Sequence, residues 1–197
     1  LPHLAAVYNA GGDEDMPRLA RRTIEDWIDH HEYGPDLPLA LGDNTLNLSI
    51  RLGQSNFGGW WGTLPDFARS PHYDEAFVRR MAASTLGQLG YVSAHLTSHG
   101  NWRISQLDCL LYNALIVPGA EAHLPLAVRL LNEAFHRQIH ADGSHEEHNP
   151  SYHGWMCRLF TNLWRLQQAR PGLGLHIDTL RAARMWDYAV CSTAPDG

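Results

Sequence analysis

The chain has 197 residues, 44% hydrophobic and 18% charged, with a formal net charge of −6, which suits one globular unit with a core and is short for two. Its basic residues form no run longer than Arg21–Arg22 and Arg79–Arg80, against a nucleic-acid binder, and no stretch of about 18 apolar residues could span a membrane. All 15 basic residues are arginine, so this chain supplies no lysine for a Schiff base, pyridoxal phosphate chemistry or a P-loop.

Leu1 to Asn9 reads as the end of a helix, broken at Gly11-Gly12-Asp13. Asp15 can cap a second helix with Pro17 in its first turn and Leu19, Ala20, Ile24, Trp27 and Ile28 as its apolar stripe. Tyr33 to Asp43, holding Gly34, Pro35, Pro38 and Gly42, reads as a loop. A third helix starts near Asn44 or Thr45 and gives way to the glycine-rich stretch Asn56-Phe57-Gly58-Gly59-Trp60-Trp61-Gly62. There Trp60 and Trp61 are candidates for an exposed surface on which sugar rings stack.

Pro71 and Tyr73-Asp74 open a fourth helix, with Phe77, Met81, Thr85, Leu89, Val92 and Leu96 spaced at three and four. Gly100 ends it, and Asn101 is placed to cap a fifth with Ile104, Leu107, Leu111 and Leu115 on one face. A sixth carries Leu124, Val128, Leu131, Phe135 and Ile139. A seventh has Pro150 near its start and bears Trp155, Leu159, Leu163 and Leu166. An eighth carries Ile177, Leu180, Ala183, Trp186 and Val190. No alternating strand pattern occurs. The expectation is an all-α chain of about eight helices in antiparallel hairpins: a bundle, a solenoid or a curved double layer. No fixed repeat period selects the solenoid. Cys109 and Cys157 fall on apolar helix faces and read as buried free thiols.

The densest chemistry lies between the sixth and seventh helices, from His140 to His153, with four histidines, three acids and a tyrosine. A helix connection needs little beyond turn residues, so this loop is the candidate working segment. Antiparallel order makes the fifth and seventh helices parallel, with both N-termini on one rim. Asn101 stands at one and Tyr152 at the other, beside helix ends that favour a bound carboxylate. His136 and His140 are spaced at i and i+4 and are followed by Asp142, His145, Glu146 and His148, a pattern able to chelate zinc. A metal-dependent hydrolase using His136, His140 and His145 is therefore one alternative. A non-catalytic carbohydrate-binding or scaffold module is another.

Two stretches, about 50 residues apart, resemble the heparinase II/III-type polysaccharide lyases. One is Gly100-Asn101-Trp102. The other is Asp142-Gly143 followed by Glu147-x-x-Pro150-x-Tyr152-His153. Weaker likeness includes Trp27-Ile28 and Arg51. The resemblance implies an incomplete (α/α) toroid spanning 1–197 as a single domain, a piece of a longer lyase that also holds a β-sandwich portion. It implies β-elimination on a uronic-acid-containing polysaccharide, with no cofactor, in the periplasm or outside a bacterial cell. By position Asn101 would neutralise the uronate carboxylate, Tyr152 would be the general acid or acid/base, and His99 would assist. Glu147, His148, His153, Trp102 and Arg51 would contact substrate, together with Trp60 and Trp61 from the aromatic argument.

Overall fold

The computed structural model describes residues 1–34, 36–38, 43–53 and 59–193. The expectations placed on Pro35, Gly42 and residues 56–58 lie outside the described residues. Within them run nine α-helices: α1 (Pro2–Gly11), α2 (Asp15–His30), α3 (Thr45–Leu52), α4 (Leu64–Phe67), α5 (Glu75–Ala94), α6 (Gly100–Ile116), α7 (Leu124–Gln138), α8 (Pro150–Ala169) and α9 (Thr179–Ser192). The extra helix relative to the expected eight is the single turn α4. No strand occurs among the described residues, only an isolated antiparallel bridge between Ile139 and His145.

Four of these nine helices start at a side-chain cap. Asn44 accepts from the Asn47 N–H, Asp74 from Phe77, Asn149 from Tyr152 and Asp178 from Arg181, at 2.7–3.2 Å. Each cap satisfies one orphan donor and is worth about 1 kcal/mol. Two expected caps differ. Asp15 is the first residue of α2 rather than its cap, and its N–H goes to Asp13 Oδ1 at 2.9 Å. Asn101 lies inside α6, which begins at Gly100, so its side chain is released for another partner.

α6 is the axle of the molecule. It packs on α3, α5, α7 and α8. Its Ile104, Leu107, Cys109, Leu110 and Leu111 are all fully buried. The face read from the sequence is buried at Ile104, Leu107 and Leu111, and Cys109 and Leu110 extend the burial well beyond it, leaving Trp102 and Ile116 exposed. A helix buried over most of its surface is one packed between several others. Burying each such aliphatic side chain contributes roughly 1.5–3 kcal/mol. Phe135 of α7 and Phe160 of α8 meet edge to face at 5.0 Å, tying the two neighbouring hairpins together.

α6 and α8 run in the same direction. Ser105 and Asp108 of α6 line one small cavity with Trp155 and Leu159 of α8. One turn back from Ser105 is Asn101, and one turn back from Trp155 is Ser151, next to Tyr152. The two helix starts lie near each other, because Glu146 and Glu147, just before α8, reach Gly100 and Asn101 at the start of α6. α9 departs from expectation. Of it only Met185 is buried, while Leu180, Trp186 and Val190 of the expected stripe are exposed.

Candidate active site

The loop after α7 folds back on itself. His140 N–H donates to Ser144 O at 2.9 Å, Gly143 N–H to His140 O at 3.0 Å, and Glu146 N–H to Gln138 O at 2.9 Å. The turn closes at Gly143, whose φ is +91°. A Cβ there would lie 2.2 Å from the Arg184 carbonyl oxygen, so only glycine lets α9 pack this closely. The Asp142 carboxyl accepts from the Ser144 N–H and hydroxyl, which hold its pKa below the usual range.

This fold-back buries His145 to 1% exposure. Burial pushes its imidazole pKa down, against the opposing pull of Glu147 and Glu146, and keeps it neutral. Its Nε2 lies 3.2 Å from Gln138 Oε1, which assigns the proton to Nε2. Nδ1 is then the acceptor that faces the Glu147 N–H at 3.4 Å.

The two acids that follow reach across to the start of α6. Gly100 N–H donates to Glu146 Oε1 at 2.9 Å. Glu147 is held twice, by the Asn101 N–H on Oε1 at 3.2 Å and by Asn101 Nδ2 on Oε2 at 2.7 Å. Gly100 has φ +77°, and a Cβ on it would sit 2.6 Å from Glu147 Oε1. The expectation of free anion sites at both helix starts is therefore corrected. Carboxylates of the chain fill the first, and the Asn149 side chain caps the second. Asn101 itself is 3% exposed, and its Oδ1 has no hydrogen-bond partner among the described residues.

Over this pair opens a cleft of about 370 Å³ lined by Thr97, Ser98, His99, Trp102 and Glu147. The exposed His99 ring approaches Ser98 Oγ at 2.7 Å through Nδ1. Trp102 is 41% exposed and Tyr152 is 45% exposed. So His99, Asn101, Trp102 and Glu147 come together, with Tyr152 at the start of the parallel helix.

Other nominated residues do not join them. Arg51 stacks on Trp27 at 3.7 Å and donates to Gln88 at 2.8 Å and Asp43 at 3.1 Å, in an internal network. Trp60 and Trp61 are buried, and the Trp61 indole N–H is spent on Thr85 Oγ1 at 3.0 Å, so neither offers a ring face to a sugar. His153 is buried, its Nε2 donating to Met185 O at 2.8 Å, which makes it a clamp between α8 and α9. His148 is exposed, with φ +48°, its ring 5.6 Å from that of His140. His136, His140 and His145 do not converge. Among the described residues no group of three histidine, cysteine or acidic side chains is placed to hold a metal. The reasoning from sequence missed Glu146 as a partner of α6, and the signal for it was the adjacent acid pair in the loop.

The sequence matches the heparinase II/III N-terminus family over residues 2–176. It is 26% identical over 161 residues to a heparin-sulfate lyase of Pedobacter heparinus, covering 76% of this chain and 23% of that protein. The crystal structure of heparan sulfate lyase HepC from Pedobacter heparinus superposes with a TM-score of 0.70 at 24% identity, over 98% of this chain and 30% of that one. The crystal structure of heparinase III superposes with a TM-score of 0.79 at 21% identity, over 98% and 29%. The chain thus spans less than a third of the length of these relatives. The superpositions show the fold, an arc of an (α/α) toroid, and the match over residues 2–176 shows that the chain belongs to the heparinase II/III N-terminus family.

Proposed function

We propose that the chain is the helical portion of a polysaccharide lyase that cleaves a uronic-acid-containing polymer by β-elimination. The observation that carries this reading is the buried Asn101 amide, fixed by Glu147 beneath a cleft walled by His99 and Trp102. The C5 proton of a uronate is hard to remove because the neighbouring carboxylate is already negative. Asn101 Nδ2 has a second N–H beyond the one given to Glu147, and His99 stands next to it as a further donor. Donors fixed there before reaction stabilise the charge that enters the carboxylate as the proton leaves.

Tyr152 is the acid/base of this reading. Its phenolic oxygen takes the C5 proton and delivers it to O4. The electron pair of the C5–H bond becomes the C4=C5 double bond while the C4–O4 bond breaks. Trp102 offers its exposed indole to the apolar face of a sugar ring. A β-sandwich portion of the same protein completes the site, and the whole works in the periplasm or outside the cell, where such polymers are met.

Turnover of uronate polymers by the full-length protein, followed by ultraviolet absorbance of the unsaturated product, tests this. Asn101→Ala and Tyr152→Phe are each expected to lower kcat about 10²–10³-fold, with unfolding midpoints near that of the parent. Unchanged rates in both variants would remove these roles. Binding without any unsaturated product would make the module a non-catalytic carbohydrate binder.

A further inference from the structure

Beside the candidate active site lies a second cleft, of about 180 Å³, lined by Arg103, Leu130, Glu133, Ala134 and Arg137. Its arginines brace the wall between the two clefts. Arg103 Nη1 donates to Thr97 O at 2.5 Å, and Arg137 Nη2 donates to Ser98 O at 2.9 Å. Thr97 and Ser98 line the first cleft, so the two clefts share this wall. A guanidinium carries five N–H donors, and each arginine therefore keeps donors beyond the one given to the wall.

The charge in this second cleft is unbalanced. Glu133 is the carboxylate among its lining residues, and it pairs with Arg129 at 2.9 Å. Among the described residues no carboxylate forms an ion pair with Arg103 or Arg137. Burial and then the charge of Arg137 push the Arg103 pKa down, with Glu133 pulling the other way and Arg129 adding to the repulsion. Like charges held this close, with one group half-buried, favour an incoming anion. A guanidinium fork matches the two-oxygen edge of a carboxylate or sulfate. The net charge of −6 repels an acidic polymer at a distance, so a local cationic spot on this rim is where such a chain gains attraction.

We propose that Arg103 and Arg137 form an anion subsite that grips the sulfate or carboxylate of a sugar flanking the one in the candidate active site. The proposal rests on the reading above only in that the ligand is an acidic sugar polymer. It does not depend on the lyase chemistry.

The test is calorimetric binding of the full-length protein to a sulfated uronate-containing hexasaccharide and to its desulfated counterpart. Arg103→Gln and Arg137→Gln are each expected to weaken binding of the sulfated probe about tenfold, with the loss shrinking at high salt. Arg137→Lys keeps the charge but not the fork, and is expected to lose clearly less affinity than Arg137→Gln. A loss confined to the sulfated probe identifies sulfate as the group held, and an equal loss on both identifies the carboxylate. Unchanged affinity in both glutamine variants overturns the subsite. So does an equal loss in Arg137→Gln and Arg137→Lys with a lowered unfolding midpoint, which would make Arg137 only a brace for Ser98. Binding of neither probe by the parent protein overturns it as well. Arginine-dependent binding with no unsaturated product leaves the subsite standing and removes the lyase mechanism, so the two failures are distinguishable.

Discussion

Glu147 shows how much of this site depends on one side chain. Both of its carboxylate oxygens accept from Asn101, one from the backbone and one from the amide. That pair of bonds fixes which way the Asn101 amide faces, because Oδ1 has no competing partner among the described residues. Glu147→Gln keeps the shape and replaces one acceptor with a donor, which turns against the Asn101 amide. The expected outcome is a kcat about 10–100-fold lower in the full-length protein, with KM and unfolding midpoint little changed. Equal loss in KM would mean that Glu147 contacts substrate instead. Gly100→Ala tests the same contact from the other side. The φ of +77° costs an alanine about 1–2 kcal/mol, and its Cβ pushes on a flexible carboxylate that can withdraw. A modest fall in denaturant midpoint together with an activity loss like that of Glu147→Gln is the expected pattern. Spacing alone brought Asn101 and Tyr152 to attention. It could not show that Glu147 serves Asn101, because that contact spans 46 residues and forms only once α6 and the loop meet.

At the scale of elements, periodicity located the helices well and their surroundings poorly. The stripes of α5 and α7 were legible because one face of each meets the core. For α6 the pattern showed only part of the buried surface, because its polar positions, such as Asn113 and Gln106, are also buried; Asn113 Nδ2 donates to Leu52 O at 3.1 Å. Trp60 and Trp61 sit in a stretch whose glycines suggested a surface loop. Gly59 instead allows a close backbone crossing. A Cβ on Gly59 would lie 2.1 Å from Arg51 O, and the Trp60 N–H donates to that same oxygen at 2.8 Å. The seat of α9 is likewise a backbone contact. Gly143→Ala sets a methyl against the Arg184 and Met185 backbone, which cannot swing aside as a side chain can. A loss of about 2–4 kcal/mol is expected in denaturant unfolding, with the His153–Met185 clamp disturbed. A variant as stable as the parent would show that α9 is free to shift.

Over the whole molecule, the pH dependence of stability follows from how the loop packs. Unfolded histidines take up protons near pH ~6.5. In the folded chain His145 is held lower, first by burial, and His123 is held lower by burial alone. As pH drops below about 6.5 the unfolded chain therefore binds more protons than the folded one. Stability is full above that pH and declines as pH falls toward the folded-state pKa values, below which these two groups add no further loss. Asp74 and Asp142, both held low, add a separate decline that begins near pH ~4. Protonating His145 also has a local consequence. Its Nδ1 stops accepting from the Glu147 N–H, and the segment that aims Glu147 at Asn101 loosens. The unfolding midpoint of the full-length protein is expected to be level from about pH 8 to 7 and to fall below about 6.5. His145→Gln is expected to flatten part of that slope and to leave the remainder to His123. An unaltered slope in His145→Gln would mean that the buried imbalance lies elsewhere. A matching loss of turnover in the same acid range, absent from His145→Gln, would tie the neutral state of this histidine to the placement of Asn101.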